Sequence, residues 1–175
     1  MSICLHNLDL FENREDGIIL TVDGAAKGME GNIARRFERE YPDVWEEIQD
    51  EINYPIPLGR AQAVDIHPDY ALINKMCFIA STLNHLDTLT ERQKLEVQSS
   101  ALRHVLSLAE AKKISSIATA VMVGGWRLEL DKALESMLMT IKRAKDLSPF
   151  VPDVSIYILS EKEFSVAKQV FEKHA

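Results

Sequence analysis

Short runs of apolar residues alternate along this chain with longer stretches in which apolar positions return every third or fourth residue. The first pattern reads as strand and the second as helix, because side chains repeat with a period of two in one and 3.6 in the other. Strands are predicted over Ser2–His6, Gly17–Val22, Ala61–Asp65, Lys75–Thr82, Ser115–Val121 and Val154–Leu159. Several are nearly unbroken in Ile, Val, Leu and Ala, as strands covered on both faces are. In Asn32–Tyr41 the residues Ile33, Ala34, Phe37 and Tyr41 draw one helical stripe, which leaves Arg35, Arg36, Glu38 and Arg39 outward. A second short helix is predicted over Val44–Ile52, after Pro42. Thr90 and Gln93 have capping-box spacing and open a long helix to about Ala111. Leu130, Leu134, Met137, Leu138 and Ile141 mark the next, and Ser160 with Glu163 opens a last one.

Strand and helix alternating in this way build one sheet with helices on its faces, an α/β class of fold. Pro55, Pro57 and Gly59, then His67 and Pro68, place loops between strands, and no repeat or linker divides the chain. At 175 residues with 46% hydrophobic content, residues 1–175 are expected to form a single domain around one core.

Charge narrows the partners. Twenty-seven acidic against twenty basic residues give a formal net charge of -7, which disfavours general binding to nucleic-acid backbones. It leaves room for a small anion held by backbone N–H groups. Cys4 and Cys77 lie singly in strand-like runs, so a disulfide framework and a metal site are both unexpected and a reducing compartment is the simpler inference. The first ten residues lack the pattern of a signal peptide, and no run reaches about 18 apolar residues, so a cytoplasmic protein without membrane contact is expected.

Two strand-to-helix turns carry most of the glycine. The first runs Val22-Asp23-Gly24-Ala25-Ala26-Lys27-Gly28-Met29-Glu30-Gly31-Asn32-Ile33, and the second runs Val123-Gly124-Gly125-Trp126-Arg127. Glycine lets a ligand approach the backbone, and the helix beyond offers unpaired N–H groups and the positive end of its dipole. Neither turn has the spacing of a P-loop or of a dinucleotide fingerprint. Two such turns at the carboxyl ends of central strands still suit a diphosphate.

In these residues the chain resembles the macrodomain family, and the likeness spans nearly its whole length. Asn7-Leu8-Asp9-Leu10-Phe11 is similar to the family's G-D-[IL]-[TF] segment, Val22-Asp23-Gly24-Ala25-Ala26 to its V-N-A-A-N, and Gly28 to Ala34 to the glycine-rich loop and helix start that follow. Pro57-Leu58-Gly59-Arg60-Ala61 resembles a P-x-G-x-A turn, and Ser116 to Trp126 resembles the strand and I-G-x-G loop. The resemblance implies a three-layer α/β/α fold with a mixed sheet of about six strands. It also implies a cleft for ADP-ribose or a related nucleotide diphosphate, with Asp9 accepting a bond from the adenine amino group.

Departures fall where the family's chemistry lies. The second asparagine of V-N-A-A-N falls at Ala26 or Lys27, and Glu30 and Asn32 stand where the related loop has glycine. The Lys and Asp of a lysine-dependent branch have no counterpart in Asp50 to Tyr54 or in Trp126 and Arg127. No catalytic set is therefore carried over, and Asp23 and Glu30 are the candidate acid–base groups, with His85 beyond the fourth strand a further one. Asp23 equally suits a cap on the next turn. Lys27 is the cation of the first turn, while Trp126 and Arg127 suit stacking and phosphate pairing, or a plug and a surface ion pair with Glu129. The expected ligand set is Asp9, Leu10, Asp23, Gly24, Ala25, Lys27, Gly28, Gly31, Asn32, Ile33, Val123, Gly124, Gly125, Trp126 and Arg127. No metal and no cofactor is expected. The expected partner is a small nucleotide or an ADP-ribosylated protein, and the sequence assigns no oligomeric state. Hydrolysis of an ADP-ribosyl or ADP-ribose phosphate bond, and an interaction protein that keeps only the fold, are the alternatives.

Overall fold

A computed structural model describes residues 2–123 and 128–174. Six strands form one sheet: β1 (Ile3–His6), β2 (Gly17–Asp23), β3 (Ala61–Asp65), β4 (Met76–Leu83), β5 (Ser116–Ala120) and β6 (Asp153–Tyr157). Their spatial order is β1-β6-β5-β2-β4-β3. All neighbours are parallel except β3, which runs antiparallel to β4 at one edge, so the sheet is mixed. Each predicted strand is present within one or two residues of its expected ends. β6 is the largest trim, since Ile158 and Leu159 leave the sheet at its carboxyl edge.

Five helices cover the two faces: α1 (Asn32–Glu40), α2 (Pro42–Glu51), α3 (Glu91–Ala111), α4 (Leu130–Leu147) and α5 (Glu161–His174). Alternation along the strands divides the core. Ile18, Leu20 and Val22 of β2 join Ala34 and Phe37 of α1 and Trp45 and Ile48 of α2, while Ile19 and Phe78 join Leu102, Leu134 and Met137 on the other face. That is the three-layer α/β/α arrangement. α3 opens as its sequence requires, with Thr90 accepting from the Gln93 N–H at 3.2 Å and Gln93 answering the Thr90 N–H at 2.9 Å. α2 begins on Pro42, two residues earlier than predicted, because a proline at the first helical residue loses no intrahelical bond. Both cysteines are free, and burial pushes the Cys77 thiol well up, which leaves it chemically inert. No helix among the described residues is long and apolar enough to cross a membrane.

The topology fixes where a ligand can sit. After β2 the chain adds β3 and β4 on one side of it, and β5 and then β6 lie on the other side. β2 and β5 pair only at Gly17 with Ile117 and Ile18 with Ala118, so their carboxyl halves diverge and open a crevice. A reversal of strand order is the place where open α/β sheets hold ligands.

Candidate functional site

A cleft of about 410 Å³ lies at these carboxyl ends, within the roughly 300–1,000 Å³ common for small-molecule sites. Ala120 and Val121 follow β5, and Tyr157, Ile158 and Leu159 end β6; Val123, Leu128 and Leu130 lead into α4 and form another wall. Asp9, Leu10 and Phe11 approach from the turn after β1, Ile33 and Arg36 from α1, and Glu163 from α5. The floor is rigid: Tyr157 stacks on His6 with ring centroids 4.7 Å apart and donates its hydroxyl to Glu15 at 2.8 Å.

Asp9 caps the short 3-10 turn Leu10–Glu12 and accepts the Phe11 N–H at 3.0 Å. Its other carboxylate oxygen accepts from the Arg36 guanidinium. Burial pushes the Asp9 carboxyl up, yet the bonds from Arg36 and Phe11 outweigh it and hold the group below its ordinary value. Arg36 also donates from Nε to Glu40 at 3.1 Å and lies 4.4 Å over the Phe11 ring. Periodicity placed Arg36 outward, and the structure corrects this. Arg36 is three residues after Ile33 and shares its face, so the signal was the i, i+3 spacing.

Apart from Ile33, the residues of the first glycine turn do not line this cleft. Asp23 is buried, and its oxygens accept the Ala25 N–H at 2.9 Å and the His85 N–H at 3.0 Å. The His85 imidazole Nδ1 also sits 3.0 Å from it. Gly24 spends both backbone groups inside the protein, its N–H on Leu83 O at 3.0 Å and its carbonyl on the Ile56 N–H at 2.7 Å. Its N–H is therefore not left for a phosphate. Lys27 points to Asp50 at 3.8 Å, an exposed pair of small worth. Gly28 has φ +87, a conformation that favours glycine, and lines a separate hollow with Glu30, Asn32, Arg35, Glu38 and Arg39. Gly31 precedes α1, and among the described residues no side chain caps that helix start. Of the predicted ligand set, Asp9, Leu10, Ile33 and Val123 line the cleft. Gly124, Gly125, Trp126 and Arg127 lie outside the described residues. Phe11, Arg36, Ala120, Val121, Leu128, Leu130, Tyr157, Ile158, Leu159 and Glu163 line it without having been singled out.

Glu30 lies beside Glu38. Burial, then the hydrogen bond and charge of Glu38, push its carboxyl up to about 7. With both groups ionised its Oε2 is buried without a donor, whereas one shared proton would supply the bond. A carboxyl whose value is raised on folding favours the fold below its ordinary value and loses that contribution as pH rises through about 7. Wild-type stability is therefore expected to drop by about 1 kcal/mol between pH 5 and 8.5, after allowance for solvent screening. Glu30→Gln should remove most of that drop in urea titrations at the two pH values. Parallel pH dependence in both proteins would refute the shared proton.

A larger groove of about 650 Å³ runs between α3 and α4. Its walls come almost wholly from helix interiors, whose N–H groups are already bonded, so it offers an anion little beyond side chains.

No family model matches the sequence, and no curated protein does. Solved structures do. A variant of the Oceanobacillus iheyensis macrodomain aligns over 98% of this chain and 90% of its own with a TM-score of 0.78 at 18% identity. The Trypanosoma brucei macrodomain in complex with ADP aligns over 97% of this chain and 69% of its own, with a TM-score of 0.79 at 14% identity. The same protein in complex with ADP-ribose gives a TM-score of 0.75 at 16% identity, over 97% and 68% of the two chains. With six mixed strands, helices on both faces and a cleft where β2 and β5 part, this chain is a divergent protein of the macrodomain fold.

Proposed function

We propose that the chain binds ADP-ribose or a related nucleotide diphosphate in the cleft between α1 and the ends of β5 and β6. The observation that carries this reading is the uncapped start of α1 beside the crevice. Ile33, the second residue of that helix, lines the cleft together with Ala120 and Val121, and among the described residues no side chain caps the first-turn amides. Unpaired amides and the positive end of a helix dipole suit a diphosphate, even on a chain of net charge -7. The apolar walls suit a base or sugar face. Two of the similar structures contain ADP and ADP-ribose, which supports the same class of ligand.

The reading is one of binding. Both oxygens of Asp23 are taken up by the Ala25 and His85 backbones, and Glu30 is turned to Glu38, away from the residues that line the cleft. Isothermal titration with ADP-ribose is expected to saturate at micromolar to millimolar concentration. Ile33→Glu, which puts a carboxylate beside the diphosphate, should weaken binding about tenfold or more. Absence of binding by the wild type at millimolar ligand would refute the proposal.

A further inference from the structure

The groove between α3 and α4 is lined by three arginines, Arg92, Arg103 and Arg143, on a chain of net charge -7. Arg92 is held by Glu96, one turn further on, at 3.2 Å. The other carboxylate of the groove, Glu110, accepts from Ser148 Oγ at 2.6 Å. Arg103 and Arg143 are exposed, and among the described residues neither has a carboxylate partner. Three contacts set the register of the two helices. Lys132 reaches Glu91 at 2.9 Å near the start of both, Ser99 Oγ meets Thr140 Oγ1 at 2.9 Å midway, and Ser148 meets Glu110 near the end of both, so α3 and α4 run parallel. Arg103 lies about one turn beyond Ser99, and Arg143 about one turn beyond Thr140. The two guanidiniums therefore reach the groove at the same level, where like charges repel and a carboxylate from outside would relieve both.

The floor beside them is apolar, with Leu95, Leu106, Ala144 and Val151. At the end of α4 it runs out onto Leu147, 88% exposed, and Phe150, 76% exposed. Large apolar side chains grouped in this way at a groove mark a surface that a partner covers. The backbone of both walls is helix interior, so an extended segment laid along it would find no N–H or C=O to pair with. A helix carries its bonds within itself. The groove follows α3 from Arg92 to Glu110, about 27 Å at 1.5 Å per residue, which takes a helix of about five turns. A second copy of the chain does not supply one, because the apolar faces of α1 to α5 are packed into its own core.

We propose that the α3–α4 groove docks an acidic amphipathic helix of a partner protein, its apolar stripe on Leu95, Leu106 and Ala144 and a carboxylate between Arg103 and Arg143. This is helix-in-groove recognition, in which apolar residues at i, i+4 and i+7 give the affinity and charge selects the partner. The groove shares no lining residue with the cleft assigned to a nucleotide, so the proposal stands apart from that reading.

Selection against the intact chain from a phage library of random peptides, each of about 18 residues to match the groove, tests it. The enriched peptides are expected to carry Leu, Ile or Phe with helical spacing and a net negative charge. The double variant Arg103→Gln with Arg143→Gln changes exposed side chains only, so it should unfold in urea as the wild type does. By fluorescence anisotropy it should bind those peptides about tenfold or more weakly. Peptides whose Glu and Asp are replaced by Gln should bind the wild type about as weakly, and the double variant should cause little further loss. No enrichment, enriched peptides without acidic residues, or equal binding by the double variant each overturn the proposal. A concentration-dependent dimer of the wild type in sedimentation, lost in the double variant, gives the groove to a second copy and overturns it as well.

Discussion

Gly24→Val is expected to lower the free energy of unfolding by about 3 kcal/mol or more, which for many domains approaches half of the total. A Cβ at this position would lie 2.2 Å from Ser81 Oγ and 2.3 Å from the Ile56 carbonyl oxygen. The first neighbour is a small side chain that can rotate away. The second is backbone, tied to the same residue by the 2.7 Å bond from Ile56 N–H to Gly24 O, and cannot retreat without breaking it. The strain would spread along the Gly24 N–H bond to Leu83 at the end of β4. Combining the substitution with Ser81→Gly separates the two contacts. It should recover only a minor part of the loss, because the backbone clash persists. Urea unfolding of the single and double variants measures this, and a loss below 1 kcal/mol would show that the β2 end has slack that the geometry denies.

Gly24 also marks the limit of what the sequence made legible. The strands and helices were readable because burial leaves a pattern: β4 is an unbroken buried run, and α1 and α3 carry the helical period almost without interruption. The Thr90 and Gln93 cap was readable because both partners are close in sequence. What could not be read is any role fixed by residues far away. Gly24 was assigned to a ligand on the strength of a strand-to-helix turn, but it is small for the sake of Ile56 and Ser81, which the sheet brings to it from later elements. Asp23 sits on the correct strand end and yet turns toward His85 on the β4 side, not toward the crevice on the β5 side. Asp9, singled out through the likeness of the turn after β1, lies on the cleft wall, whereas its partner Arg36 comes from 27 positions on. Strand order decides such meetings, and periodicity is blind to strand order.

The second large effect concerns the helix that brings Arg36 to Asp9. α1 has nine residues, of which Arg35, Arg36, Glu38, Arg39 and Glu40 are charged. A segment so short does not hold helical form in water by itself, so tertiary contacts must hold it. Phe37 is the main one: it is fully buried, with ring centroids 6.0 Å from Phe11, 5.1 Å from Tyr41 and 6.1 Å from Trp45. Phe37→Ala is expected to cost about 3–5 kcal/mol in urea unfolding, as large-to-small changes in aromatic cores do. Phe37→Leu, which refills most of the volume, should cost well under half of that. Phe11 touches both Phe37 and Arg36, so the alanine cavity opens directly beneath the guanidinium. Where Phe37→Ala remains folded, nucleotide affinity should therefore fall along with stability, since the donors lose the surface that orients them. Unchanged affinity in a folded Phe37→Ala protein would mean that Asp9 alone fixes Arg36, and a stability loss below 1 kcal/mol would mean that Tyr41 and Trp45 hold α1 without it.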